Sequence, residues 1–260
     1  MSKLRIVSWN CHYGFSEEKQ KTIMEADIFK GADIYIIPEC KKSDWERLNY
    51  PKQNADWYSD GKDAKDSSGG INEERDLGIG IFCKNDITIN RLAKYWSDDP
   101  SFRYVLPYQI NKDGKDFILF AVWTKNKTDV TDPLDYVQKA HAAVDYYKNK
   151  NLLTGDVILI GDFNSNEIWD DCYKSNLNHT ALVKKLSDYY IVNSAKKFDK
   201  EKIETYFYTY KSQKKKVTDD YCFISKPLLE KVTDFHIGDS KEWVETDLSD
   251  HCPIMVEFTL

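Results

Sequence analysis

The sequence predicts an α/β domain built of stacked layers, and three observations predict it. Ten short apolar runs that read as strands recur along the whole chain. Several, such as Ile34-Tyr35-Ile36-Ile37 and Val157-Ile158-Leu159-Ile160, are apolar at every position, as strands covered on both faces are. Segments with helical spacing lie between them, which favours mixed layers over an all-β domain.

Taken in order, residues 4–9 form the first expected strand, and a helix follows over 17–29 with Ile23, Ala26 and Phe29 inward. Residues 34–38 are a second strand. The polar stretch 59–76, which contains Ser67-Ser68-Gly69-Gly70, lacks periodicity and reads as a long loop, of a kind that is often substrate-facing or disordered. Strands are expected at 77–83, 102–110 and 117–123. Asp132-Pro133 then supplies a cap and a first-turn proline, with Asp135 acidic at the third position, so a helix is expected to about residue 148. Its inward face carries Leu134, Val137, His141 and Val144, which makes His141 a core histidine. A strand at 157–160, a helix at 179–186 and strands at 205–210, 221–224, 232–237 and 253–258 complete the series.

At 260 residues the chain can bury a sizeable core, and without a linker or repeat it reads as one domain, 1–260. No run approaches the ~18 apolar residues of a membrane span, so no membrane partner is expected. The amino terminus runs straight into a strand without a secretory pattern, which makes a cytoplasmic location the expectation. The six cysteines are too dispersed for paired metal-binding motifs and read as reduced, mostly buried thiols. A formal charge of −6 argues against a protein coated in positive charge for non-specific nucleic-acid binding. One basic strip, Lys211-Ser212-Gln213-Lys214-Lys215-Lys216, reads as a loop, with Lys214 and Lys215 candidates for contacting phosphate.

The chemistry lies where strands end. Asn10, Glu39, Asp162 and Asn164 each follow an apolar run, Asp220 precedes one, and Asp250-His251 precedes the last. Glu39 closes a strongly apolar strand, where an unpaired buried charge costs on the order of 3–5 kcal/mol. A cation partner resolves that cost, and hard divalent ions accept carboxylate oxygens together with substrate phosphate. Asp220 is suited to orient the His251 imidazole and hold it protonated. Carboxylates, amides and one imidazole at strand ends are what metal-assisted hydrolysis around a phosphate requires.

Ser8-Trp9-Asn10, Ile37-Pro38-Glu39, Gly161-Asp162-Phe163-Asn164-Ser165, Asp220-Tyr221 and Ser249-Asp250-His251, in that order over nearly the whole chain, resemble the endonuclease/exonuclease/phosphatase superfamily, the group of deoxyribonuclease I and exonuclease III. The resemblance implies a four-layer α/β sandwich, two packed, mostly antiparallel sheets flanked by helices, with the site at one end. It implies Glu39 as the principal Mg²⁺ ligand, Mn²⁺ being the substitute, with Asn10 and Asp250 close to the same ion. It makes Asp162 the residue that orients or deprotonates the attacking water and Asn164 the amide that holds that water or the phosphate. His251, braced by Asp220, contacts a non-bridging phosphate oxygen, and Asn126 matches an active-site asparagine of the abasic-endonuclease branch.

Two positions depart from that pattern. Trp123 stands beside the substrate where the branches carry tyrosine or histidine, and it can supply neither a hydroxyl nor an exchangeable proton. His12 stands where abasic endonucleases carry an aspartate. Trp169 and Trp243 are candidate stacking surfaces for an exposed base, with core packing the simpler account of each. The expected activity is Mg²⁺-dependent phosphodiester hydrolysis on nucleic acid, DNA before RNA. A hydrolase of small phosphoesters, such as inositol phosphates, phospholipid head groups or nucleotides, is the alternative, followed by an inactive scaffold that binds nucleic acid or protein.

Overall fold

A computed structural model describes residues 3–61, 63–64, 70–72, 75–96, 102, 104–126, 134–173 and 176–260. In chain order the strands are β1 (Lys3–Ser8), β2 (Ile34–Lys41), β3 (Ala55–Tyr58), β4 (Leu77–Cys83), β5 (Ile87–Arg91), β6 (Val105–Lys112) and β7 (Lys115–Trp123). After these come β8 (Val157–Asp162), β9 (Ile191–Asn193), β10 (Tyr206–Tyr210), β11 (Gln213–Val217), β12 (Asp220–Ser225), β13 (Val232–Ile237) and β14 (Ile254–Thr259). The helices are α1 (Glu17–Glu25), α2 (Lys42–Arg47), α3 (Val137–Asn149), α4 (His179–Asp188), α5 (Lys226–Lys231) and α6 (Ser240–Trp243).

Two six-stranded sheets result, with orders β13-β14-β1-β2-β4-β3 and β5-β6-β7-β8-β12-β9. Each contains one parallel pair, β1 with β2 and β7 with β8, and is otherwise antiparallel. Alternation along the strands explains why the runs are apolar throughout. Ile34 and Ile36 of β2, with Ile158 and Ile160 of β8, enter the core between the sheets. Tyr35 and Ile37 face outward from the first sheet, where Ile23 of α1 and Trp243 of α6 cover them. Val157 and Leu159 face outward from the second, under Val144 of α3 and Leu182 of α4. Four layers follow from this, each buried Ile or Leu contributing about 1.5–3 kcal/mol by leaving water.

Several expectations are corrected. The first helix stops at Glu25, because Ala26 turns extended at ψ 126, and Phe29 reaches the core from the following turn. The strand expected from 102 begins at Val105. The lysine strip is a hairpin: Lys211 and Ser212 turn at φ 47 and 62, and β11 pairs antiparallel with β10. The expected cap Asp132-Pro133, and Ser67, Ser68 and Gly69 of the polar stretch, lie outside the described residues. His141 is buried, as expected, with Nε2 2.9 Å from the Asn178 carbonyl. Five cysteines are buried and Cys172 is exposed, all of them free. Among the described residues no helix is long and apolar enough to cross a membrane.

Candidate active site

Register brings the polar residues together. At the ends of β7, β8 and β12, Trp123 lies opposite Asp162 in parallel pairing and Asp220 lies opposite Asp162 in antiparallel pairing. In the other sheet β14 runs antiparallel to β1, so Asp250 and His251, just before β14, sit beside the end of β1 that carries Asn10. Asn10 joins the two halves. Its Nδ2 donates to Glu39 Oε1 at 3.1 Å and to Asp162 Oδ2 at 2.9 Å.

Local backbone devices aim these groups. The pairing of β2 with β4 slips between Pro38 and Cys40, and Glu39 in this bulge adopts φ 59, turning its carboxylate into the cleft. Its Oε2 accepts from the Tyr13 amide at 3.0 Å. Gly161 has φ +144, and a Cβ there would meet the Val122 carbonyl oxygen at 2.0 Å, so only glycine lets β8 approach β7 this closely. Asn164 then turns at φ 44, and its amide N and Nδ2 donate to the two Asp162 oxygens at 2.7 and 2.8 Å. Its Nδ2 also reaches the Thr124 carbonyl at 2.9 Å.

The electrostatics differ from group to group. Asp162 is fully buried, and burial pushes its carboxyl up to about 7, against the pull of His251 and with the push of Asp220. Burial draws the His251 imidazole down, but the carboxylates of Asp220 and Asp219 outweigh it and hold the ring protonated well above its ordinary range. Its Nδ1 stands 2.9 Å from Asp220 Oδ2. Burial would raise Asp250, yet His12 and His251 together keep it below the ordinary carboxylate range.

A divalent cation fits one part of this set. Asp250 Oδ1 is buried without a hydrogen bond of acceptable geometry, although His12 Nδ1 lies 3.1 Å away. It shares the cleft with the Glu39 carboxylate, and hard oxygen donors of this kind suit Mg²⁺ or Mn²⁺. The tightest cluster of ligating atoms among the described residues is a different one, Asp219, Asp220 and His251, within 4.8 Å of one another. In that cluster the His251 imidazole is already bound to Asp220, while Asp219 Oδ2 and Asp220 Oδ1 are buried without a hydrogen-bond partner, as Asp250 Oδ1 is.

The pocket that collects these groups holds about 310 Å³ and is lined by Asn10's neighbours His12 and Tyr13, by Glu39, Trp123, Asn126, Asp162, Asn164, Asp250 and His251, and by Lys125, Tyr136 and Tyr206. A larger groove of about 730 Å³ shares His12 and Asp250 with it and passes Phe207, Lys214 and Lys215. Asn126 is exposed at the rim. Trp123 is buried at the wall, with Lys125 Nζ 4.4 Å from its ring.

Trp243 is corrected. It is 1 % exposed, packed edge-on against Trp9 and Phe29, and presents no face to a substrate. Tyr206 went unnoticed in the sequence, although it stacks on His251 at 4.6 Å. The alternation Tyr206, Tyr208, Tyr210 was the available signal, a one-faced aromatic stripe on a strand.

No family model and no curated protein matches the sequence. Solved structures match it over its whole length. The 3′-5′ exonuclease NExo from Neisseria meningitidis is 17% identical at a TM-score of 0.64, covering 99% of this chain and 100% of that one. An AP endonuclease from Archaeoglobus fulgidus is 17% identical at 0.61, again covering 99% and 100%. The 3′ phosphatase NExo from Neisseria, bound to product DNA hairpin, is 15% identical at 0.63 with the same coverage.

The chain has the endonuclease/exonuclease/phosphatase fold. The expected four-layer sandwich is therefore borne out. Within this endonuclease/exonuclease/phosphatase fold the cleft opens at the end where β1, β2, β7 and β8 terminate, and one pocket collects Glu39, Asp162, Asn164, Asp250 and His251.

Proposed function

We propose that the chain is a divalent-metal-dependent phosphodiesterase that hydrolyses nucleic acid, DNA in preference to RNA. The observation that carries this reading is the Asn10 amide spanning Glu39 and Asp162, which ties an oxygen-donor site to a raised carboxyl in one cleft. The structural neighbour bound to a product DNA hairpin supports the substrate class.

Glu39, Asn10 and Asp250 would hold Mg²⁺ or Mn²⁺, which when bound neutralises charge that builds on the phosphate. Asp162, held by Asn10 and Asn164, orients the attacking water and accepts its proton, a task suited to a group that titrates near neutrality. His251 donates to a non-bridging oxygen as negative charge develops there. Asn126 positions the phosphate, while Asn164, whose donors are all engaged, offers only its Oδ1, which can accept from the attacking water. Trp123 closes one wall and excludes water without taking part in proton transfer. Lys214 and Lys215, on the groove beyond His12, supply charge for a following phosphate.

The rival is a hydrolase of small phosphoesters, favoured by the net charge of −6 and by the size of the catalytic pocket. A panel of labelled single-stranded, duplex and abasic DNA, RNA and soluble phosphoesters, each with Mg²⁺ or with EDTA, separates the readings. Cleavage of oligonucleotides that EDTA abolishes is the expected result. Turnover confined to the soluble esters assigns the site to the rival.

A further inference from the structure

A line of rings leads out of the catalytic pocket. Tyr206 lies on His251, 4.6 Å between centroids and 25° between planes, and Tyr208 lies on Tyr206 at 5.1 Å and 12°. These two steps are closed by direct stacking. The next is not: Trp169, in the short 3₁₀ helix Glu167–Cys172, stands 6.4 Å from Tyr208 at 53°. Two stacking steps of about 3.4 Å, the base-to-base rise of a nucleic-acid strand, come to about 6.8 Å, so the gap needs only a small opening and a rotation of one ring to admit a flat base. Both rings are half-buried.

The surroundings suit a single strand. Tyr208 pairs with Lys215 across the hairpin, and residues directly opposed in antiparallel strands project on the same face. Lys216 is engaged by Glu204 at 3.1 Å, whereas Lys214 and Lys215 have no carboxylate partner among the described residues. Every base offers a π-face, so stacking on aromatic rings is tolerant of sequence. Bases inside a duplex already stack on their neighbours and must be pulled out at a cost.

We propose that Trp169 and Tyr208 form a clamp for one unpaired nucleobase of the strand where it leaves the pocket, with Lys215 on the adjoining phosphate, so that single strands and frayed ends are chosen over intact duplex. The proposal rests on the nuclease reading and deepens it by naming the form of the substrate.

The test is binding of fluorescein-labelled single-stranded DNA, single-stranded RNA and duplex DNA, followed by anisotropy in EDTA so that nothing is cleaved. Trp169→Ala and Tyr208→Ala are each expected to weaken single-strand binding about tenfold and to lower the single-strand to duplex preference by the same factor, with Trp169→Phe restoring most of it. The DNA and RNA arms show which strand the clamp serves. A second readout uses the unaltered protein with 2-aminopurine at successive positions of the single strand, where quenching at one position is expected. A preference unchanged in both alanine variants, equal losses on single strand and duplex, or uniform 2-aminopurine emission overturns the clamp while cleavage by the wild type keeps the nuclease reading. A wild type that neither binds nor cleaves any oligonucleotide overturns both.

Discussion

Asp162 carries two demands that conflict in water and agree only in this cleft. As the proposed base it is buried, which raises its carboxyl towards neutrality, and it still accepts hydrogen bonds from Asn10 and from Asn164 twice. Unpaired, a buried carboxylate costs several kcal/mol; three donors reduce that cost without removing the shift. Asp162→Asn removes the proposed base and sets an amide NH2 against one of these donors. Its kcat on whichever oligonucleotide the wild type cleaves is expected to fall about 10²–10⁴-fold with a lowered melting temperature, because one buried acceptor is lost, and full activity in the variant would reassign the base. The residue was legible because a charged side chain ended a strand otherwise buried on both faces, and Glu39 was legible for the same reason. The contact of His12 with Asp250 was not, since nothing local in either segment signals a partner at the other end of the chain.

Elements set the precision of the site. Gly161 shows how closely: its missing side chain lets the Val122 carbonyl approach, and the Trp123, Asp162 and Asp220 register depends on that contact. Gly161→Ala is expected to lose on the order of 2–3 kcal/mol of stability in urea unfolding, and an unchanged midpoint would mean that β7 and β8 can separate freely. The hairpin β10–β11 is the opposite kind of element, stabilised by pairing and by a turn rather than by burial. For that reason β11, with three consecutive lysines, carried no strand signal in its sequence, and short β3 and β9 were equally silent. If Lys214 and Lys215 meet phosphates, alanine at both should reduce the slope of log affinity against log salt by about 1–2 over a salt titration. A slope that stays the same places the strand elsewhere.

For the whole molecule, stability depends on pH through a histidine packed behind the turn that carries Asn164. His179 begins α4 with Nδ1 2.8 Å from the Ser165 hydroxyl, and burial depresses its imidazole from an ordinary 6.5 to about 4. In that interval the unfolded chain binds a proton that the folded chain refuses, so stability must fall as pH drops from about 6.5 towards 4. Urea midpoints of the wild type and of His179→Gln, compared across this window, are expected to converge as the pH is lowered. Parallel curves would show the ring to be solvated.

The thiols offer a practical consequence. With five cysteine side chains enclosed and Cys172 alone reaching solvent, a maleimide dye should label the chain at one place without mutagenesis. That place ends the same short helix as Trp169, so the dye would sit beside the proposed clamp, and a change in its brightness on adding a single strand would report arrival in real time.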